Sequence, residues 1–328
     1  MRGGIELERN MEFKREHTLL NKLIIVDGTG RCGKSLVLDV ISLFPSVEKK
    51  EFNSFLEYIG LAYKYNKISS DMAIAILKTE MDTELYNNMI GRYVNTRMTD
   101  DTSLYKYHSP AKYIKRSLEQ DGSIISEKVL IEKPIYLCWS HDLINKSDII
   151  FEAYQGNLQW VYVNRRPVDI IFEWNQKDYS KRMARDPTEM QYNIKFKDIT
   201  VPEIALGWEE EFINMTPEER TVKMIYTYFK LNRESLLKKC QYQNIHVINF
   251  EDLITNPKNE IERLQSMMGN QPLPIMDQVL AKANCPRILD TKEYLARKNN
   301  ILENVSANYT NLLAEMDVMY EDIKQLAK

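Results

Sequence analysis

The first strong pattern along the chain is an uninterrupted apolar run, Leu23-Ile24-Ile25-Val26, of the kind a parallel strand buried on both faces shows. It stops at Asp27-Gly28-Thr29-Gly30. Beyond it Leu36, Val37, Val40, Ile41, Leu43 and Phe44 recur at helical spacing until Pro45 closes the helix. Further strands are expected at 128–132 (KVLIE), 159–164 (QWVYVN) and 244–250 (NIHVINF). Helical patterns separate them at about 138–153, 167–180 and 217–239, the last with Val222, Ile225, Tyr228, Phe229 and Leu236 in register. Alternating strands and helices predict an α/β fold, a parallel sheet flanked by helices on both faces.

Residues 54–120 read as several helices with Tyr, Met and Leu at helical spacing. After Pro257 the chain is helical, polar and Asn-rich. Within that part, 308–326 form an amphipathic helix whose apolar stripe (Leu312, Leu313, Met316, Met319, Tyr320, Ile323) needs either the domain or a second subunit of a homodimer to pack on. No repeat, low-complexity run or linker interrupts the pattern. The expectation is a single domain over 1–328, with helical insertions at 54–120 and 175–215 on the substrate side and a helical segment at 285–328.

Composition narrows the class. The 328 residues are 44% hydrophobic and 28% charged, enough for a sizeable core. Lys and Arg total 44 against 47 Asp and Glu, a net charge of −3. A protein that neutralises nucleic-acid phosphates shows a basic excess, so no nucleic-acid partner is expected. The cysteines (Cys32, Cys138, Cys240, Cys285) are widely spaced, which gives neither a zinc pattern nor a disulfide framework and fits a reducing, cytoplasmic compartment. The histidines (His17, His108, His141, His246) never stand at ligand spacing, and no metal is expected. The first residues mix both signs of charge without a signal-like apolar run, and no stretch approaches membrane-spanning length.

The chemistry concentrates in Gly28-Thr29-Gly30-Arg31-Cys32-Gly33-Lys34-Ser35, a full match to G-x4-G-K-[ST]. Glycines let backbone N–H groups turn toward phosphate oxygens, the helix starting at Lys34 aims its positive end at them, and lysine adds a point charge. The apolar strand before and amphipathic helix after are the context such a loop requires. The loop indicates phosphate binding without naming a reaction.

Three segments in order resemble the sulfotransferases that use 3′-phosphoadenosine 5′-phosphosulfate (PAPS). Arg31-Cys32-Gly33-Lys34-Ser35 stands where that family carries Arg/Lys-Ser-Gly-Thr-Thr around the 5′-phosphosulfate. Trp160-Val161-Tyr162-Val163-Asn164-Arg165-Arg166-Pro167-Val168-Asp169 is similar to its strand ending in Val-Arg-Asp-Pro-Arg-Asp, which implies that Arg165 binds the 3′-phosphate. Val247-Ile248-Asn249-Phe250-Glu251-Asp252-Leu253-Ile254-Thr255-Asn256-Pro257 resembles its Tyr-Glu-Asp-Leu-x-x-x-Pro signature, with Phe for Tyr. The resemblance implies a sulfotransferase-like fold and PAPS as donor, with a hydroxyl or amine of a small molecule or saccharide as acceptor. It further implies Glu51 as the acceptor's general base, Lys133 at a strand end beside the sulfuryl group, and Arg31 and Lys34 on the departing oxygen. Arg297 and Lys298 faintly resemble a C-terminal Arg-Lys-Gly loop that touches the 3′-phosphate.

Two departures point elsewhere. The family's serine eight residues beyond the 3′-phosphate arginine is replaced by Glu173, a carboxylate that repels a dianion. Lys34-Ser35 is also what an ATP-using enzyme needs, lysine on the β/γ-phosphates and hydroxyl on Mg²⁺. An ATP/Mg²⁺ kinase, which requires a carboxylate near Ser35, is therefore the second reading, and a nucleotide-binding protein without catalysis the third. Glu51 has a plainer reading as one charge in the solvated run Glu48-Lys49-Lys50-Glu51. The basic stretches 105–113 and 181–185 read either as solvated faces or as part of an anionic acceptor site.

Overall fold

A computed structural model describes residues 11–119, 122–189 and 191–327; residues 1–10, whose charges were read above, lie outside the described residues. The chain begins with β1 (Lys22–Asp27) and α1 (Lys34–Ile41). There follow β2 (Glu51–Phe52), α2 (Phe55–Lys64), α3 (Ser70–Met89), α4 (Pro110–Ser117), α5 (Ile125–Glu132), β3 (Ile135–Trp139), α6 (Asp148–Tyr154), β4 (Leu158–Asn164) and α7 (Pro167–Gln176). Next come α8 (Tyr179–Arg182), β5 (Asn193–Phe196), β6 (Ile199–Pro202), α9 (Glu209–Asn214), α10 (Pro217–Lys239), β7 (Ile245–Asn249) and α11 (Phe250–Thr255). The chain closes with α12 (Pro257–Met268), α13 (Met276–Lys282), α14 (Thr291–Glu303) and α15 (Ala307–Lys324).

Five strands form one sheet in the order β2-β3-β1-β4-β7, every neighbouring pair parallel. The apolar run Leu23–Val26 is the sheet's middle strand and is completely buried, as its composition requires. Successive strands go to one side of β1 and then to the other. Right-handed crossovers therefore place helices on both faces and open a crevice at the carboxyl ends of the strands beside β1. The α/β parallel-sheet architecture expected from the sequence is present.

Local signals decide several boundaries. Thr216 caps α10 by accepting from Glu219 N at 3.2 Å while the Glu219 carboxylate accepts from Thr216 N, and Pro217 opens the first turn. The segment 128–132 is not a strand. It belongs to α5, with Ile125 and Val129 buried four residues apart on one face while Leu130 and Ile131 are exposed. The strand lies beyond Pro134 at Ile135–Trp139. The expected helix over 138–153 is likewise the end of β3, a turn at Ile144–Lys146 and α6. The insertion 175–215 is only partly helical, because β5 and β6 pair as an antiparallel hairpin with Lys197 at φ 53° in its turn. The terminal helix α15 packs on α10, α7, β4 and β7, so its apolar stripe is covered within the chain. Among the described residues no helix is long and apolar enough to cross a membrane.

Candidate functional site

The loop between β1 and α1 is shaped by two glycines that no other residue can replace. Gly28 has φ 140°, and a Cβ there would meet Val163 O at 2.6 Å; Gly33 has φ 99°, and a Cβ would meet the Phe250 ring at 2.3 Å. Lys34 is buried and curls back into the loop, donating from Nζ to Gly28 O at 2.5 Å and Thr29 O at 3.1 Å. Thr29 donates from Oγ1 to Asp142 Oδ1 at 2.7 Å, and Asn232 of α10 donates to the same oxygen at 2.7 Å. Beneath the loop, Asp27 accepts from Leu143 N at 3.0 Å and Ile144 N at 2.7 Å. Burial nevertheless pushes its carboxyl up to about 6. Cys32 is buried and its thiol is pushed up by desolvation, so this cysteine packs the loop and supplies no thiolate.

Around the loop stand three arginines. Arg31, at φ 71°, is bridged by Glu173 of α7, whose Oε2 accepts from Nη2 at 2.7 Å and Nε at 3.2 Å. Arg165 leaves the end of β4, donates from Nη1 to Arg31 O at 2.6 Å and lies 4.9 Å over the Phe250 ring. Among the described residues its buried Nε has no partner. Arg287 approaches the same ring at 5.9 Å. Both neighbours of Arg165 are braced. Asn164 Nδ2 donates to Tyr320 O of α15 at 3.1 Å; Glu251 accepts from Arg166 N at 3.1 Å and, on its other oxygen, from the Tyr320 hydroxyl at 2.9 Å.

Facing the loop is a wall from β2, α2 and the end of β3. Glu57 accepts from Ser140 Oγ at 2.7 Å and His141 N at 2.9 Å, and its carboxylate lies 3.6 Å from His141 Nδ1. Burial raises the Glu57 carboxyl, but the His141 and Ser140 contacts outweigh it and hold the group below its usual range. Phe52 packs against Trp139 and His141 at ring distances of 5.5 and 5.6 Å. The two walls enclose a cavity of about 690 Å³, within the size range of small-molecule sites. The cavity continues past the Tyr58–Tyr192 ring pair to Glu203, which accepts from Tyr65 at 2.5 Å and has Lys146 at 3.7 Å.

The residues singled out from the sequence separate cleanly. Gly30, Arg31, Gly33, Lys34, Ser35, Arg165 and Glu173 line this cavity, with Gly28, Thr29 and Cys32 completing the loop behind them. Glu51 is not among the lining residues; its carboxylate pairs with Lys49. Lys133, the left-handed cap of α5, is exposed at the entrance to β3, the opposite end of the sheet from the crevice. Arg297 is bound to Asp169 at 2.9 Å and to Glu293, and Lys298 to Asp317 at 3.0 Å; neither is among the lining residues of the cavity. Glu173 pairs with Arg31 and not with Arg166 or Lys177, the partners its helix offers. The run Glu48-Lys49-Lys50 is buried, not solvated. Arg116 grips Glu48 with bonds of 2.7 and 3.1 Å, Lys112 adds one of 2.9 Å, and Tyr113 donates to it as well. The basic stretch around residue 112 is thereby tied into the fold.

On sequence grounds His108 and His141 are both open to an acid–base role, since imidazole titrates near neutrality, but nothing selects either; Glu57, Arg287, Asp101 and Asp142 are passed over. Asp101 accepts from Ser35 Oγ at 3.0 Å and lies 3.3 Å from Lys106. The signal for His141 and Asp142 was their place after β3, which only a correct strand boundary reveals. Among the described residues no group of three or more His, Cys, Asp or Glu is arranged to hold a metal ion.

No family model matches the chain, and no curated protein matches it. Solved structures with a similar outline include a sulfotransferase domain from the curacin biosynthetic pathway (TM-score 0.47, 12% identity, 92% of this chain and 99% of that one). A sulfotransferase domain from the Synechococcus PCC 7002 olefin synthase has TM-score 0.41 and 12% identity over 97% of both chains. A sulfotransferase from Alicyclobacillus acidocaldarius has TM-score 0.36 and 13% identity, over 88% of this chain and 98% of that one. The strand order and loop of this chain define it independently as an α/β protein with a glycine-rich loop after its central strand.

Proposed function

We propose that the protein transfers a sulfuryl group from PAPS to a hydroxyl or amine of a small molecule or saccharide. The observation that carries this reading is the pair of anion-binding clusters on one cavity. The loop with Lys34 is one; Arg165 and Arg287, sharing the Phe250 ring, are the other. PAPS carries anionic groups on both sides of its ribose, whereas the phosphates of ATP form one contiguous chain. The unpartnered Arg165 Nε is a buried donor suited to a phosphate oxygen.

In this reading the loop N–H groups and Lys34 hold the 5′-phosphosulfate. The acceptor oxygen or nitrogen attacks sulfur, the bond from sulfur to the bridging oxygen breaks, and adenosine 3′,5′-bisphosphate leaves with its charge neutralised by Lys34. The acceptor proton passes to His141 Nε2. Glu57, beside Nδ1, orients the ring and stabilises the imidazolium. The base is thus assigned to His141 in place of Glu51.

One observation favours the second reading. Asp101 on Ser35 is the carboxylate a Mg²⁺-dependent kinase needs at this position. Calorimetric titration separates the two: adenosine 3′,5′-bisphosphate binding more tightly than ATP with Mg²⁺ supports sulfuryl transfer, and the reverse order assigns the site to phosphoryl transfer.

A further inference from the structure

One cation and the hydroxyl that the loop offers a ligand, Arg31 and Ser35, are already engaged by carboxylates from other elements. Glu173 of α7 holds Arg31 through two hydrogen bonds, 2.7 and 3.2 Å to one oxygen. Asp101, from the segment between α3 and α4, holds Ser35 at 3.0 Å. Lys34, by contrast, is satisfied by neutral loop carbonyls. Both carboxylates line the same cavity, and both are held below the usual carboxylate range: burial raises them, but Arg31 and Ser35 respectively outweigh it. They are therefore anions at any working pH near neutrality.

We infer that Glu173 is an affinity- and specificity-determining residue of the donor site, an internal anion that occupies Arg31 until an incoming phosphate or phosphosulfate group displaces it. The inference rests on the donor reading above for the identity of the nucleotide, and on the Arg31–Glu173 geometry for the displacement. A dianion entering beside Arg31 meets a neutralised guanidinium and a like charge, so binding must first rotate Glu173 away. The site then binds its nucleotide more weakly than its three arginines alone would dictate. It releases the bisphosphate product more readily for the same reason, because Glu173 re-forms its bond as the product departs. Arg165 differs, since among the described residues its one hydrogen bond goes to a backbone carbonyl, no carboxylate holds it, and its buried Nε has no partner. Arg165 attracts the nucleotide and Glu173 limits how tightly Arg31 adds to it.

The test is calorimetric titration of the wild type, Glu173→Gln and Glu173→Ala with adenosine 3′,5′-bisphosphate, AMP and ATP with Mg²⁺. The glutamine keeps the shape and one acceptor while removing the charge, and circular dichroism confirms that each variant is folded. Glu173 is partly exposed, so the expected gain is moderate: both variants bind the preferred nucleotide about tenfold more tightly than the wild type. Arg31→Ala in the Glu173→Gln background is expected to erase that gain. Unchanged or weakened affinity in both Glu173 variants, or a gain that survives removal of Arg31, overturns the inference. If the wild type prefers ATP with Mg²⁺ while the Glu173 variants still gain, the donor reading fails and the displaceable carboxylate stands.

Discussion

Replacing Arg165 by alanine removes the guanidinium that lies over Phe250, and the structure allows its effect to be divided into two parts. One part is shared by every ligand of the loop. The bond from Arg165 Nη1 to Arg31 O, 2.6 Å long, steadies the loop, and losing an ordinary hydrogen bond costs about 1 kcal/mol. The other part belongs to ligands that reach the unpartnered Nε. A charge-assisted bond to a phosphate oxygen contributes roughly 1.5–3 kcal/mol, which is about a ten- to hundredfold change in affinity. Titration calorimetry with adenosine 3′,5′-bisphosphate and with AMP separates them, since AMP lacks the 3′-phosphate. The expected outcome is a loss of about fivefold for AMP and a loss at least tenfold larger for the bisphosphate. Arg165→Lys, which keeps the charge but not the planar fork, falls between. Equal losses for the two nucleotides would refute the assignment of Arg165 to a 3′-phosphate.

Lys34→Ala is expected to weaken every nucleotide by about ten- to hundredfold in the same titrations, through the lost charge on the phosphate nearest the loop; unchanged affinity removes the loop from ligand binding. In a transfer assay, His141→Ala is expected to lower turnover about 10²–10⁴-fold with donor affinity intact, while Glu51→Gln stays near the wild type. The opposite result returns the base to Glu51. Stability against pH probes Asp27. Its folded carboxyl sits at about 6 against 3.8 for an unperturbed aspartate, so the protonated form favours the fold. The stability it contributes is present below about pH 4 and lost as pH rises to 6, a change of roughly 3 kcal/mol. His246, pushed down to about 4 mainly by burial, acts with the opposite sign in nearly the same window, because its stability is lost as pH falls. Urea midpoints of Asp27→Asn should therefore rise more steeply from pH 4 to 6 than those of the wild type, and parallel profiles would discount the buried carboxyl.

The parts of the fold legible in the sequence are those whose signals are local. The β1 run is wholly apolar because both faces are covered, its loop needs glycine at φ 140° and 99°, and α10 begins at a capping box. Short apolar runs on either side of Pro134 carried no such signal. Val129-Leu130-Ile131 fits a strand or a helix, and only the burial of Ile125 and Val129 on one face decides for a helix. That misplacement moved the expected strand end from Trp139 back to Lys133, and with it the expected site away from Ser140-His141. Glu48 fails for another reason. A glutamate among lysines reads as solvated, and its burial depends on Arg116, Lys112 and Tyr113, partners supplied by α4 far along the chain. Glu173 reads as foreign to a phosphate site, but its partner Arg31 is far from it along the sequence, where helix spacing gives no guidance.

Tyr320 ties the end of the chain to its middle. Its carbonyl and hydroxyl, through Asn164 and Glu251, brace both residues that flank Arg165, although α15 lies far from them along the sequence. A nascent chain with β1, its loop and β4 already in place still lacks the brace behind Arg165. The full brace behind Arg165 thus forms only once α15 docks, and deleting α15 would leave the loop's sequence whole while loosening the arginine beside it. Substitutions at Tyr320 are accordingly expected to be felt at Arg165, although Tyr320 does not line the cavity.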